Sequence, residues 1–270
     1  MVAMIIFACI VCILPTSMAA DGISIKSYQA DLYLNGTLEE KFEYQIEDAN
    51  RYRMLYRSWK LPVSLEQLDR DFVEPIMVYP PKGTVGYFID RNGKVTVLSP
   101  EEGSYAEDIK SLAQHNEAGC FNPNKFAQGI FGISYLFKIH PSLECDNSSC
   151  HWNLRLADEH LPYQKAGIYI HDPDGLVVHP IPHPDMYYKK EGDVWIINGS
   201  IPKDGLIEVE MLLHPNASSK IAGFVKNISS VEARTISAQK KKSSSDNESK
   251  GDGFFQLLFV GIFFISFIFK

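Results

Sequence analysis

Local catalytic signatures are missing from these 270 residues: there is no Gly-x-Ser-x-Gly elbow, no His-Glu-x-x-His helix and no phosphate-cradling glycine loop. A strained nucleophile turn, a zinc-binding helix face and a nucleotide cradle are therefore not written in any one stretch. Positive charge is also short, with 26 Lys and Arg against 33 Asp and Glu and a formal net charge of −7. Neither greasy end carries an acidic group, so the negative surplus lies on the middle of the chain, which argues against nucleic acid or anionic lipid as a partner. Cysteine is scarce: of five, Cys9 and Cys12 fall in an N-terminal apolar run, leaving Cys120, Cys145 and Cys150. These are too few for a disulfide framework or a zinc site of paired cysteines. Helical periodicity is confined to residues 104–114, and the adjacent carboxylates Glu39-Glu40 and Glu101-Glu102 would point to opposite faces of a strand. No catalytic residue and no cofactor is assigned.

Long apolar runs are present only at the two ends. Residues 1–14 are apolar, stop at Pro15 and are followed by Thr16-Ser17-Met18-Ala19-Ala20, small residues where a signal peptidase cuts. A signal peptide over residues 1–20 is expected, although the absence of Lys or Arg from its start leaves an uncleaved anchor as the alternative. Residues 254–269 are apolar except for Gln256, Gly261 and Ser266. As a helix they would reach about 24 Å against a hydrocarbon core of roughly 30 Å, so they span with local thinning or with Lys270 snorkelling. The expected topology is a single pass in the cell membrane, anchored in the bilayer through residues 254–269, with the bulk of the chain extracytoplasmic. Lys240-Lys241-Lys242 would favour the opposite orientation by the positive-inside rule, but Asp246, Glu248 and Asp252 dilute that run. A removable lipid-anchor signal, built from Ser243–Ser245, a polar spacer and the apolar tail, is the rival reading.

Between the ends the apolar period is two. Ile23, Ile25, Tyr28, Ala30, Leu32 and Leu34 mark a strand, Asn35-Gly36 turns it, and Leu38, Phe42, Tyr44 and Ile46 mark the next. Further strands are expected over 52–60, 76–79, 84–90, 94–98, 132–140, 151–156, 167–171, 194–198 and 206–213, with Gly, Pro, Asp and Asn between them. The fold class is all-β: an antiparallel sandwich, Ig-like or two-lobed with a division near residues 100–130, and one short helix. The β domain is expected over 21–215, a polar stalk over 216–252 and the membrane segment over 253–270. Half of the twelve asparagines sit in Asn-x-Ser/Thr, at Asn35, Asn147, Asn198, Asn216, Asn227 and Asn247. Glycosylation there would require translocation and exposed loops. Cys145 and Cys150 flank a four-residue loop between strand-like runs, so a disulfide is expected, with Cys120 unpaired unless it takes one of those two as partner.

The run Ile25-Lys-Ser-Tyr28-Gln-Ala-Asp31-Leu-Tyr-Leu-Asn-Gly36-Thr-Leu-Glu39-Glu40-Lys-Phe42-Glu-Tyr44, then Leu55-Tyr-Arg57, resembles the opening of a prokaryotic predicted membrane protein family, domain of unknown function 2207. Tyr135-Leu-Phe137, His151-Trp152-Asn153-Leu154, Leu161-Pro162, Asp172-Pro173-Asp174-Gly175 and Ile197-Asn-Gly199 are similar in order to the family's extracytoplasmic domain, over roughly residues 23–215. The resemblance implies an archaeal or bacterial source. Members continue past the first membrane helix, so a chain stopping at Lys270 looks like a short or truncated member. It also implies a structural contact. Glu40 shares the apolar face of Leu38, Phe42 and Tyr44, where a carboxylate is expensive unless paired, and Arg57 is the expected partner. The alternative is an inward charge on an edge strand.

One segment is rich in ligand-type side chains. Residues 171–185 hold His171, His179 and His183 with Asp172, Asp174 and Asp185, a density that could bind a divalent metal. Four prolines and the Asp-Pro-Asp-Gly turn favour a stiff connecting loop instead, so these histidines are weak metal candidates. Trp59, Trp152 and Trp195 are read as core, and Tyr187-Tyr188 as a surface that could meet a glycan or a protein. The function expected is a membrane-anchored binding, sensing or structural module of the cell envelope, not an enzyme, with an envelope protein or glycan as partner. The alternatives are a surface hydrolase or metal-dependent enzyme using the His/Asp-rich loop, and an accessory subunit of a larger membrane complex with a broad apolar patch.

Overall fold

Strand β1 (Ile23–Tyr33) turns into β2 (Thr37–Ile46) through Asn35 and Gly36. Gly36 has φ +89° and a Cβ there would sit 2.4 Å from the Ile139 carbonyl, so both the conformation and the space demand glycine. The Asn35 side chain accepts the Thr37 N–H at 2.9 Å. Both strands alternate: Tyr28, Ala30, Leu32, Leu38, Glu40, Phe42, Tyr44 and Ile46 are buried, and the odd-numbered residues of the two strands from Gln29 to Gln45 are not. The computed structural model describes residues 22–59, 73–157 and 160–236. The expected signal peptide, the membrane segment, Asn247 and the stalk beyond residue 236 lie outside the described residues. Among the described residues no helix is long and apolar enough to cross a membrane.

After the hairpin come β3 (Met54–Ser58), β4 (Val73–Tyr79), β5 (Val85–Ile89) and β6 (Val95–Val97), then a 3-10 turn leading into α1 (Ala106–Leu112). Next are β7 (Glu117–Phe121), β8 (Gly129–Ile139), β9 (Ser142–Cys145) and β10 (Cys150–Ala157). The chain continues with β11 (Tyr163–His171), β12 (Val177–His183), β13 (Tyr187–Glu191), β14 (Val194–Ile201) and β15 (Ile207–Leu213). Then come α2 (Ala217–Lys220) and β16 (Phe224–Asn227). Among the described residues the strands form three sheets: a seven-stranded one ordered β13-β14-β11-β1-β2-β8-β4, a five-stranded one ordered β12-β15-β10-β9-β16, and a four-stranded one ordered β3-β7-β5-β6. One hydrophobic cluster joins inward residues of all three, among them Leu32, Phe42, Ile168 and Ile197 of the largest sheet, Trp152 and Met211 of the five-stranded sheet, and Leu55 and Cys120 of the four-stranded sheet. The four-stranded sheet buries its second face too, with Val85, Tyr87, Ile89 and Phe121 packed on Ile109 of α1.

The fold is β-rich as expected, but it is mixed rather than wholly antiparallel. β1 pairs with β11 in parallel in the middle of the largest sheet, and β16 pairs with β9 in parallel. Parallel neighbours need a long crossover, here everything from Tyr33 to Tyr163, and alternation along one strand says nothing about its partner. The division expected near residues 100–130 is bridged, because β8 pairs with β2 and β4 and β11 pairs with β1, so one sheet joins strands from both sides of it. The Pro-rich segment is not a free loop: Val177–His183 is an edge strand on β15. Pro180 and Pro182 lie two residues apart, so both missing donors fall on one side of that strand, which an edge position tolerates. Residues 217–231, expected to belong to a polar stalk, pack on the domain instead. β16 adds to the five-stranded sheet, and Ala217, Ile221 and Val231 are buried against the domain, contacts too sparse in apolar residues for composition to reveal.

Candidate functional site

Burial places one ion pair where the three sheets meet. Glu40 on β2 is 0% exposed and Arg57 on β3 is 6% exposed, with Arg57 Nε donating to Glu40 Oε2 at 2.9 Å. The Tyr28 hydroxyl donates to the other carboxylate oxygen at 2.6 Å. Arg57 also donates to the Leu156 carbonyl on β10 and to the Ser58 carbonyl, so one guanidinium ties the seven-, four- and five-stranded sheets together. Its Cζ lies 3.8 Å from the centroid of the Trp59 ring. Burial by itself would lower the Arg57 pKa; the Glu40 carboxylate, with Tyr28 and Tyr163, outweighs that and the net direction is up. Burial and the neighbouring Glu40 push the Tyr28 hydroxyl well above its usual range, which keeps it a neutral donor.

Beside this pair opens a cleft of about 300 Å³. Phe42, Tyr44, Tyr52, Leu55, Tyr163 and Leu161 contribute its mostly apolar wall, and Arg57 and His160 bring a guanidinium and an imidazole to it. Tyr28, Phe42 and Tyr163 pack ring against ring, at centroid distances of 4.9 to 6.0 Å, which holds the wall in shape. His160 is pinned, with Nδ1 2.6 Å from the Leu161 carbonyl and Nε2 2.6 Å from the Gly205 carbonyl. Because Arg57 is already neutralised by Glu40, the cleft ends on a balanced pair rather than on a free cation, and its chemistry suits an uncharged aromatic or aliphatic group.

The other expected sites have definite places. Cys145 and Cys150 face each other across β9 and β10, with Cα atoms 4.1 Å apart and an S–S bond of 2.08 Å, while Cys120 is free and buried. Burial raises the Cys120 thiol to about 12. In the loop the disulfide closes, Asp146 accepts the Ser148 hydroxyl at 2.7 Å, the Ser148 and Ser149 N–H groups, and the Val231 N–H at 2.7 Å, which lowers its pKa well below the usual carboxylate range. Asn35, Asn147, Asn198, Asn216 and Asn227 are all exposed. Trp152 lies in the core, Trp59 against Phe137, and Trp195 beside Tyr188. Tyr187 is exposed, but Tyr188 is half-buried and its hydroxyl lies 3.3 Å from His179.

The three histidines of residues 171–185 do not converge. His171 bonds Asp31 at 3.1 Å on the seven-stranded sheet and stacks on Tyr33, His179 meets Tyr188, and His183 meets Glu210 at 3.1 Å on the five-stranded sheet. Sequence separation in an extended segment spreads side chains over different sheets, which is why local density misleads here. Asp172 is a turn residue: its carboxylate accepts the Leu176 and Val177 N–H groups at 2.6 and 3.0 Å. The residues that pattern reading passed over are His160, His151, Glu208 and Glu210. Two of these, Glu208 and Glu210, stand with the expected candidate His183 in a group that could hold a cation. The available signal was Glu208-x-Glu210 inside an apolar strand, two carboxylates on one face.

A family model described as predicted membrane protein (DUF2207) N-terminal domain matches residues 24–213. No curated protein matches. Among solved structures, the M1 zinc metallopeptidase from Deinococcus radiodurans is similar with a TM-score of 0.38 and 6% identity, over 70% of this chain and 42% of that one. A two-domain M1 zinc metallopeptidase bound to L-tryptophan gives the same score with 7% identity, over 71% of this chain and 43% of that one. The chain thus spans less than half the length of these structures, and a likeness of this degree carries no argument about chemistry.

Proposed function

Since the chain belongs to the DUF2207 family of predicted membrane proteins, we propose that its β domain is a membrane-anchored, extracytoplasmic binding module whose cleft above Arg57 takes an uncharged aromatic or acyl group. The observation that carries this reading is the cleft itself, about 300 Å³ of mostly apolar and aromatic wall closing on a neutralised ion pair. The placement outside the membrane is supported by apolar runs confined to the chain ends, by the Cys145–Cys150 disulfide and by the exposed sequon asparagines. The hydrolase alternative loses its foothold, because His171, His179 and His183 bond to three different partners. The accessory-subunit alternative keeps one support: edge strand β4 exposes Ile76, Met77 and Tyr79.

The test is to titrate the β domain in its full chain, in detergent or nanodiscs, with indole, benzamide, benzoate and decanol, following methyl and aromatic chemical shifts. Neutral probes should shift residues lining the cleft, benzoate should do so far less, and Ala157→Phe, which fills the cleft from its rim, should remove the response. Shifts scattered over the surface, or an equal response to benzoate, would remove the cleft as the site.

A further inference from the structure

The face of the five-stranded sheet turned away from the shared core carries a second cluster of chemistry-bearing side chains. On β15, Val209 and Met211 point into the core, so Glu208 and Glu210 point the other way, and both are nevertheless buried, at 2% and 3% exposure. β12 and β10 flank β15, and their registers set His183 opposite Glu208 and Arg155 opposite Glu208. Glu210 lies between two imidazoles: Oε1 is 3.1 Å from His183 Nε2 and Oε2 is 3.1 Å from His151 Nε2. One ligating atom from each of His183, Glu208 and Glu210 falls within 4.8 Å of the other two.

We propose that His183, Glu208 and Glu210 form a binding site for a divalent first-row transition cation of the zinc type, with His151 as a positioning residue that holds the far oxygen of Glu210. The geometry has the right scale. Donors about 2.0–2.1 Å from a tetrahedral zinc sit about 3.3 Å from one another. The His183–Glu210 pair already meets that spacing, and a rotation of the Glu208 carboxylate closes the rest. One nitrogen and two carboxylate oxygens from protein leave a position for water, and the imidazole selects against calcium and magnesium. Charge favours it as well, because two carboxylates buried side by side are stabilised by a dication held between them, in addition to Arg155, whose Nε lies 3.6 Å from Glu208. Antiparallel strands fix all three ligands on a rigid sheet, and His151 orients Glu210 as outer-shell groups do.

The test uses the untagged full chain, stripped with a chelator and titrated with Zn²⁺ by calorimetry, with Co²⁺ absorption as a spectroscopic readout. One ion per chain is expected, with Ca²⁺ failing to compete. His183→Gln and Glu210→Gln should abolish it, and His151→Ala should weaken it by roughly 10–100-fold. His171→Ala, on the other large sheet, should leave it unchanged. Chelated protein and each variant are checked by thermal unfolding, and Glu208→Gln, which keeps side-chain shape, serves where another variant fails to fold. No stoichiometric binding, or binding that survives both His183→Gln and Glu208→Gln, overturns the site.

Discussion

Glu40 and Glu117 are both buried carboxylates inside the same domain, and they are solved in opposite ways. Glu40, at the junction of the three sheets, faces a guanidinium and a tyrosine hydroxyl, and every oxygen meets a donor. Glu117, on the second face of the four-stranded sheet, is held by neutral donors, the Tyr87 hydroxyl and the Gln114 N–H at 3.0 Å. Burial raises the Glu117 pKa, and the two hydrogen bonds only partly offset it. The contrast teaches that burial decides the cost of a carboxylate and its partner decides whether the fold depends on it. Glu40 is bound into the frame, whereas Glu117 is tolerated.

The largest break in this comparison should come from Arg57→Met, which leaves the Glu40 charge buried without its cation. Urea unfolding should then show a loss of about 3–5 kcal/mol. The double variant Glu40→Gln, Arg57→Met should lose clearly less than the sum of the singles, and an additive result would mean that the pair is not coupled. Next in size is the Cys145–Cys150 disulfide, a covalent tie rather than an ionic one. Cys145→Ala with Cys150→Ala should cost about 2 kcal/mol by loop closure, because only a few residues lie within the loop. Smallest is Glu117→Gln, which should stabilise. An acid whose folded pKa is raised holds the fold back above that pKa, and the penalty disappears as pH falls through the folded value toward the unfolded one. The variant's advantage should therefore be present at neutral pH and vanish in acid; a constant difference across pH would show that packing, not charge, sets it.

Elements with an unbroken two-residue period could be read directly. The first hairpin and the inward Glu40 follow from one alternation carried through Leu38, Phe42 and Tyr44, whereas Arg57 as its partner was implied by the family resemblance. Strand β7 could not be read this way, because Glu117, Ala118, Gly119, Cys120 and Phe121 are all buried and a strand covered on both faces has no alternation. β12 was hidden by its prolines, which only an edge position permits, and β16 by a polar composition that reads as tail. The cleft draws residues from several strands and the His183–Glu208–Glu210 cluster from two, and a linear pattern carries no record of which strands become neighbours.

The parallel pairing of β1 with β11 has a consequence for how the chain can be made. Seven registered positions of β1, from Ile25 to Tyr33, wait for partners between Tyr163 and His171. A chain emerging from its N-terminus can complete the side of β1 that meets β2 at once, since that is a hairpin. The opposite side stays an open row of unpaired backbone groups until residue 171 has followed, and such a row is a template for any passing strand. Assembly is thus gated by a contact of long sequence separation, which slows folding.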